Sequence, residues 1–192
     1  MQRLIPATTI KFSEDARNSA FSVISPILEA TGGLTLSQLS KLTGLEGSTI
    51  QNWIKRGWIA STKGKKYSEK QVIRILLINM LRGSMKLENI AQLMVYINGD
   101  VEDTSDDIIA DITLYNILCR IIFTAEDEGA FTTESVQELI SREITANSSE
   151  ITDAVKLRKA MYVMVMAYRS ACLKIEADKK MSAILNEMEN MS

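Results

Sequence analysis

The side chains best suited to recognition chemistry lie in a short polar segment, residues 48–56. Ile50, Trp53 and Ile54 are spaced as they would be on one face of a helix, so burying them turns the other side chains outwards. The outward residues are Ser48, Thr49, Gln51, Asn52, Lys55 and Arg56. Amide side chains can form two hydrogen bonds to an adenine edge, while hydroxyl and basic groups suit bases and phosphates. A polar helix face alone is more often solvated surface, so the neighbouring elements decide its meaning.

A basic segment follows at residues 61–67. It contains the turn residue Gly64 and lies between the apolar pair Trp58 and Ile59 and the aromatic Tyr67. This pattern predicts a small β-hairpin, or wing. Its side chains complete the predicted DNA-contacting set with Lys63, Lys65, Lys66 and Tyr67. Lysines in such a loop would supply positive charge for the phosphate backbone.

Net charge is segregated along the chain. The total is −2, but residues 37–92 carry ten basic and three acidic groups, a net charge of +7. Residues 93–192 carry nine basic and eighteen acidic groups, a net charge of −9, and residues 1–36 have no net charge. This asymmetry favours a polyanion-binding head joined to a body that stays away from the polyanion.

Three helix starts are marked by a hydroxyl residue followed three positions later by glutamine. In such a capping box each side chain bonds a backbone N–H that the helix leaves unpaired. The pairs are Thr35 with Gln38, Ser48 with Gln51, and Ser68 with Gln71. They predict helices at about 36–43, 48–56 and 69–82, and apolar periodicity predicts a fourth at about 86–97. A helix, a turn containing Gly44, a second helix and a basic hairpin together predict a winged helix-turn-helix.

The rest of the chain also predicts helices. One is expected at residues 13–31, with Ser13 as its cap and Pro26 able to kink or split it. After an acidic linker, further helices are expected at about 106–123, 133–146 and 150–190. The predicted fold is mainly α, with a small β-hairpin wing. We expect three parts: an N-terminal helix packed on the rest (1–33), a winged-helix DNA-binding domain (34–99), and an all-α dimerisation or regulatory domain (100–192).

A known family shares these motifs. Leu36–Gly44 and Ser48–Gly57 resemble the helix-turn-helix of MerR-type regulators, Lys65–Glu69 resembles the end of their wing, and Met85–Ile90 the start of their fourth helix. Residues 47–94 are more closely similar to a family of MerR-like bacterial proteins, mainly from low-GC Gram-positives, known only as a domain of unknown function. The resemblance implies a winged-helix regulator that dimerises through a helix beyond its DNA-binding domain.

The chain departs from the MerR pattern at two places. MerR-type proteins usually carry an arginine and a tyrosine pair early in the recognition helix, where this chain has Gln51, Asn52 and Trp53. The strength or preference of DNA binding would therefore differ. The C-terminal half also lacks the metal-binding cysteines of that family. Cys119 and Cys172 match no metal-site spacing and histidine is absent, so we expect two buried free thiols, no metal and no cofactor.

Other functional classes find little support. An enzyme is not expected, because histidine, a phosphate-binding loop, a dinucleotide-binding glycine motif and a Gly-x-Ser-x-Gly motif are all missing. The most apolar runs, Ile75–Leu81 and Ala160–Tyr168, are far shorter than the roughly 20 residues that span a bilayer. Without a signal peptide in view, we expect a cytoplasmic protein that does not partner a membrane.

The sequence thus predicts a sequence-specific, double-stranded DNA-binding transcription regulator that acts as a homodimer. The alternative is a winged-helix module for protein–protein or architectural contacts without specific DNA binding, although the basic surplus argues against it. A near-heptad series from Ile151 to Ile175, interrupted by Arg158, favours a core helix whose exposed end pairs with a second copy. Nothing in the sequence indicates a small-molecule effector, although the C-terminal domain could hold one.

Overall fold

The computed structural model describes residues 3–62, 64–103 and 105–190. These residues form helices and one two-stranded antiparallel sheet, so the fold is mainly α, as predicted. In chain order the elements are α1 (Asp15–Asn18), α2 (Ser25–Thr31), β1 (Leu34–Thr35), α3 (Leu36–Thr43), α4 (Gly47–Lys55), β2 (Lys66–Tyr67), α5 (Glu69–Leu81), α6 (Leu87–Asn98), α7 (Asp111–Glu128), α8 (Thr133–Ala146) and α9 (Ala154–Asn190). Short 3-10 turns lie at Ala20–Val23 and Ser148–Glu150.

Helix α5 forms the centre of the core. Every residue from Gln71 to Ile78 is buried, because a helix that is apolar around most of its circumference must be covered on all sides. Helices α3, α6, α7 and α9 all pack against it. The buried residues of the predicted head and of the C-terminal helices therefore belong to one contiguous cluster. The division of the chain at residues 33 and 99 stays a prediction.

The N-terminal region does not form the single helix predicted at residues 13–31. It is broken at Ser19, which is extended (φ −145°, ψ 96°), and α1 begins after Glu14 without a side-chain cap. Pro26 lies in the first turn of α2. Proline is tolerated there, but it cannot extend a helix from the preceding turn because it lacks an N–H and its ring crowds that turn.

Two of the three predicted capping boxes form. The Thr35 box at α3 and the Ser68 box at α5 are both present. The box predicted at Ser48 is wrong, because α4 begins one residue earlier, at Gly47, after Glu46. A Cβ at Gly47 would lie 3.1 Å from Leu36 Cδ2, so the close packing of α3 on α4 favours starting the helix at a residue without a side chain.

The strand that ends the predicted wing pairs elsewhere than expected. Among the described residues, β2 is bonded to β1, with Leu34 opposite Tyr67 and Thr35 opposite Lys66, and not to the other arm of its own loop. The described residues show no pairing between the two arms of the predicted hairpin at residues 61–67, so the wing stays a prediction. Gly33 makes the distant pairing possible, since a Cβ there would lie only 2.6 Å from the Tyr67 carbonyl oxygen.

The N-terminal segment holds the end of α3 against α5. The Asn79 side chain donates to the carbonyl oxygens of Ala7 (2.9 Å) and Thr43 (3.1 Å). The backbone N–H of Thr9 donates to the carbonyl oxygen of Leu42 at 2.8 Å. One amide on the central helix thus fixes both the N-terminal segment and the turn that leads into α4.

Replacing Asn79 with alanine is expected to lower the free energy of unfolding by about 1–3 kcal/mol, because two carbonyl groups lose their shared donor. Urea denaturation at constant pH measures the change. Asn89→Ala is the matched control, since Asn89 is exposed on α6 and should change stability little. Equal stability of the two variants would show that the Asn79 bonds do not hold the segment.

The C-terminal helices extend the core and then leave it. Helix α7 begins five residues later than predicted, because the buried Asn98 donates to the Ile109 carbonyl oxygen (2.7 Å) and holds that segment outside a helix. Helix α8 has the predicted bounds, and α9 runs far beyond the core. Cys119 is buried as expected, but Cys172 is exposed, because α9 leaves the core after Ala171. None of the helices formed by the described residues is long and apolar enough to cross a membrane.

Candidate nucleic-acid interface

Helix α4 presents the predicted polar face. Ile50 and Trp53 are both 0% exposed, and Ile54 packs partly buried against the core, as the spacing predicted. The residues that remain exposed on this helix are Ser48, Gln51, Asn52 and Lys55, whereas Thr49 is half-buried. The buried face anchors the helix, and the opposite face offers two adjacent amides to solvent.

A short turn fixes α4 relative to α3. Gly44 ends α3 in the left-handed region (φ 70°), and Leu45 is buried in the core. The buried Thr43 hydroxyl donates to the Leu39 carbonyl oxygen (2.7 Å) and accepts from the Leu45 N–H (3.2 Å). The turn between the helices is therefore rigidly bonded, so α4 has a defined orientation on the core.

The end of α4 carries a basic group that is already engaged. The Arg56 guanidinium lies 5.1 Å from the centre of the Trp58 ring and forms an ion pair with Glu88 on α6 at 3.1 Å. Both partners of this pair are substantially exposed, so solvent screens it. Arg56 would have to share its charge between Glu88 and any phosphate.

The loop between α4 and β2 is held at its base by two distant side chains. The Gln71 amide donates to the Ala60 carbonyl oxygen (2.9 Å) and to the Thr62 hydroxyl (3.1 Å). The Glu102 carboxylate accepts from the Ser61 N–H at 3.1 Å. Sequence reasoning gave Gln71 a capping role only, and no local pattern could show that its amide nitrogen also braces this loop.

The predicted lysines differ in how free they are. Lys55 and Lys65 are exposed, and neither has a hydrogen-bond or ion-pair partner among the described residues. Lys66 is exposed too, but its ammonium donates to the Thr31 carbonyl oxygen at the end of α2. Lys63 lies outside the described residues. Of the predicted contact lysines in the described residues, Lys55 and Lys65 are therefore the most available to a phosphate.

Tyr67 occupies a different environment from the other predicted contact residues. It is 6% exposed, and burial raises the pKa of its phenol. Its place in the β1–β2 pair makes it part of the core that supports the loop. Direct contact of Tyr67 with DNA stays a prediction, one that its burial disfavours.

Across residues 3–62, 64–103 and 105–190, no group of three or more His, Cys, Asp and Glu side chains is placed to hold a metal ion. The chemistry available at α4 and its loop is hydrogen bonding by amides and hydroxyls and charge attraction by lysines. These groups suit a polyanion with exposed hydrogen-bonding edges.

Comparison with known proteins finds two similarities, one to a family and one to a single protein, and neither description states a role. Residues 34–118 match the family described as a domain of unknown function (DUF1836), a stretch that runs from β1 into α7. The chain is also similar to the uncharacterized protein YkrK of Bacillus subtilis (strain 168), at 27% identity over 162 residues that cover 78% of this chain and 69% of that protein. No solved structure matches the chain. The expected match to a family of unknown function is confirmed and is longer than predicted, while the MerR resemblance stays a prediction.

Proposed function

We propose that this protein is a double-stranded DNA-binding transcription regulator that acts as a homodimer. In this proposal α3, α4 and the loop that ends at β2 form a MerR-like winged helix-turn-helix. Helix α4 enters the major groove and the loop lies along the phosphate backbone. The matched family and relative name no activity, so the proposal depends on the geometry and charge of the site.

The observation that carries the proposal is that α4 has one side buried in the core and one polar side exposed to solvent. One side is fixed in the core by Ile50 and Trp53, and the other exposes the adjacent amides of Gln51 and Asn52. A rigid helix with free amides is what base recognition requires, because bonds to a base edge need side chains held in register. The surrounding net charge of +7 over residues 37–92 supplies attraction to the phosphates.

Each group has a distinct part in this mechanism. The amides of Gln51 and Asn52 bond adenine edges, and Ser48 at the start of α4 donates to a base or a phosphate. Lys55 and Lys65 neutralise phosphates on either side of the groove. The acidic C-terminal helices are repelled by DNA and remain free to pair with a second copy, which places two recognition helices on related half-sites.

Gln51→Ala and Asn52→Ala are each expected to weaken specific DNA sites by about 1–3 kcal/mol and to leave nonspecific binding nearly unchanged. The specific site is first obtained by selection from a random duplex library with the full chain. Fluorescence anisotropy then compares the selected site with a scrambled duplex at one salt concentration. Gln92→Ala, an exposed amide on α6, is the matched control and should alter neither affinity.

A second outcome would favour the alternative function. If selection yields no enriched sequence and both variants bind duplex DNA like the unaltered protein, specific recognition by α4 is wrong. The fold would then serve as an architectural or protein-binding module. A fall in both affinities together would mean that the two amides position the helix and do not recognise bases.

A further inference from the structure

A cavity of about 180 Å³ lies behind the end of α4. It is lined by the residues that follow α4, by the facing sides of α5 and α6, and by residues 99–101, and it is partly open to solvent. Most of its walls are apolar, and they include Trp58, Ile78, Leu87, Ile90, Ala91 and Met94. An engineered cavity of roughly 150 Å³ accepts benzene, so this space suits a ligand body of about six to eight carbon atoms.

One charged side chain reaches this apolar space from the core. Arg74 on α5 is 6% exposed and lines the cavity. Its Nε lies 3.3 Å from Asp111 Oδ2, and its Nη1 lies 3.4 Å from Asp111 Oδ1. No hydrogen-bond partner for its Nη2 is found in the described part of the chain. A guanidinium carries five N–H donors, so the edge of Arg74 that Asp111 leaves free can donate to an acceptor that enters the cavity from outside.

The charges nearby limit what that acceptor can be. Asp111 offsets the charge of Arg74, and burial raises the pKa of its carboxyl. Asp100 is exposed and lines the cavity, and Asp107 and Lys70 are charged neighbours of Asp111. A phosphate or a dicarboxylate would bring two or more negative charges to this acidic rim, whereas a single carboxylate brings only one and matches one free guanidinium edge.

We propose that this cavity binds a small monocarboxylate with an apolar aromatic or branched body. The carboxylate accepts from Arg74 Nη2, and the body packs against Trp58 and Met94. The site also has a route to the DNA-binding surface, because Trp58 supports Arg56 at the end of α4. Regulation of DNA affinity through this route rests on the proposed function, but the ligand site itself does not.

The test of the site needs no DNA. The chain has two tryptophans, so the indole N–H signals in a ¹⁵N spectrum of the full-length protein report Trp58 directly. Titration with benzoate is expected to shift the Trp58 signal in a saturable way. Benzyl alcohol should bind about 10–100-fold more weakly, because it loses a charged hydrogen bond, and benzylamine should not bind. Tighter binding of benzylamine would overturn the carboxylate assignment, and no saturable shift with any of the three would overturn the site.

Two variants locate the ligand. Ala91→Phe fills the cavity from α6 and should abolish the benzoate shift without touching Arg74. Arg74→Met alone would strand the buried Asp111, so the second variant is Arg74→Met with Asp111→Leu, which removes both charges together. That variant should bind benzoate about 10–100-fold more weakly and bind benzyl alcohol at least as well as the unaltered protein. Unchanged benzoate binding in the Ala91→Phe protein would place the ligand elsewhere.

DNA affinity measured with and without saturating benzoate then tests the regulatory route. A benzoate-dependent change in the affinity of the unaltered protein, absent in Ala91→Phe, supports coupling through Trp58. Benzoate binding with unchanged DNA affinity overturns the coupling and keeps the site. If the protein binds no DNA at all, the spectrum still decides whether the site exists, so the two failures are distinguishable.

Discussion

Replacing Lys63, Lys65 and Lys66 together with alanine is expected to make the salt dependence of DNA binding much shallower. The unaltered protein should neutralise about 4–6 phosphates per protomer, which gives a log–log slope of binding constant against salt near −4 to −5. Each lost phosphate contact removes about 0.9 from that slope, so the triple variant should fall to about −2. Affinity for any duplex should therefore drop steeply at low salt and little at high salt.

The matched control removes the same charge from the acidic half of the chain. Arg142, Arg158 and Lys159 are exposed on α8 and α9, and replacing all three with alanine changes the net charge by the same amount. Its slope should stay close to that of the unaltered protein. If the salt slope becomes equally shallow in both triple variants, only the total charge of the protein matters. If the slope is unchanged in the variant that lacks Lys63, Lys65 and Lys66, their loop is not part of the interface.

Local sequence patterns predicted the parts of the fold that local forces determine. Helix α3 has its predicted bounds because the Thr35 box begins it and Gly44 ends it, and both signals lie within the helix and its caps. The same holds for α8, which Thr132 caps. The spacing of Ile50 and Trp53 was enough to predict which side of α4 is buried.

Contacts between distant parts of the chain could not be predicted in this way. The two residues of β2 pair with β1 residues that lie 31 and 33 positions earlier in the chain, and the glycine that permits the pairing carries no signal of its own. The engagement of Lys66 with the end of α2 is equally nonlocal. Arg74 shows that sites are also hard to predict from local sequence. It is a basic residue within a run of apolar residues, and nothing in that run indicated that it would line a cavity beside α4.

The exposed end of α9 raises the question of what covers its apolar side chains. Ala171 is the last buried residue, and the described residues beyond it are all exposed. At 1.5 Å per residue this end extends about 28 Å from the core. Leu173, Met181 and Ile184 are each about half exposed there. A long amphipathic helix end of this kind gains most by pairing with a helix of matching pattern.

Apolar side chains along α9 follow an 11-residue spacing. Val155, Met166 and Ala177 are each 11 residues apart, as are Leu173 and Ile184. Such a repeat keeps apolar positions in line on a nearly straight helix. The near-heptad series predicted from the sequence lies on another face, where Met161 and Val165 are buried in the core of the same chain, so these two positions are not open to a partner.

The charges beside this stripe favour a second copy over a highly charged partner. The exposed end carries three lysines and four carboxylates, which gives a nearly balanced surface: Lys174, Lys179, Lys180, Glu176, Asp178, Glu187 and Glu189. Two identical mixed surfaces can place opposite charges against each other, whereas a uniformly acidic or basic partner would meet repulsion from one set. We therefore expect the stripe to form the homodimer contact.

Ile184→Glu is expected to convert the dimer into a monomer, because it places a charge in the middle of the apolar stripe. The residue is half exposed in one copy, so the fold of each protomer should be unaffected. Sedimentation at micromolar concentration measures the state, and circular dichroism checks the fold. DNA affinity for a two-half-site duplex should fall by about 10²–10⁴-fold, because the two heads no longer bind as one unit.

Asn186→Glu is the control that separates the position of the charge from its presence. Asn186 lies two residues further along the same exposed end, about 200° around the helix and away from the stripe. The Asn186→Glu protein should remain a dimer and keep its DNA affinity. If the unaltered protein is a monomer, the homodimer is removed from the proposed function. If the Ile184→Glu protein is still a dimer, the contact lies on another surface, because burying an unpaired glutamate in an apolar contact costs more free energy than the contact supplies.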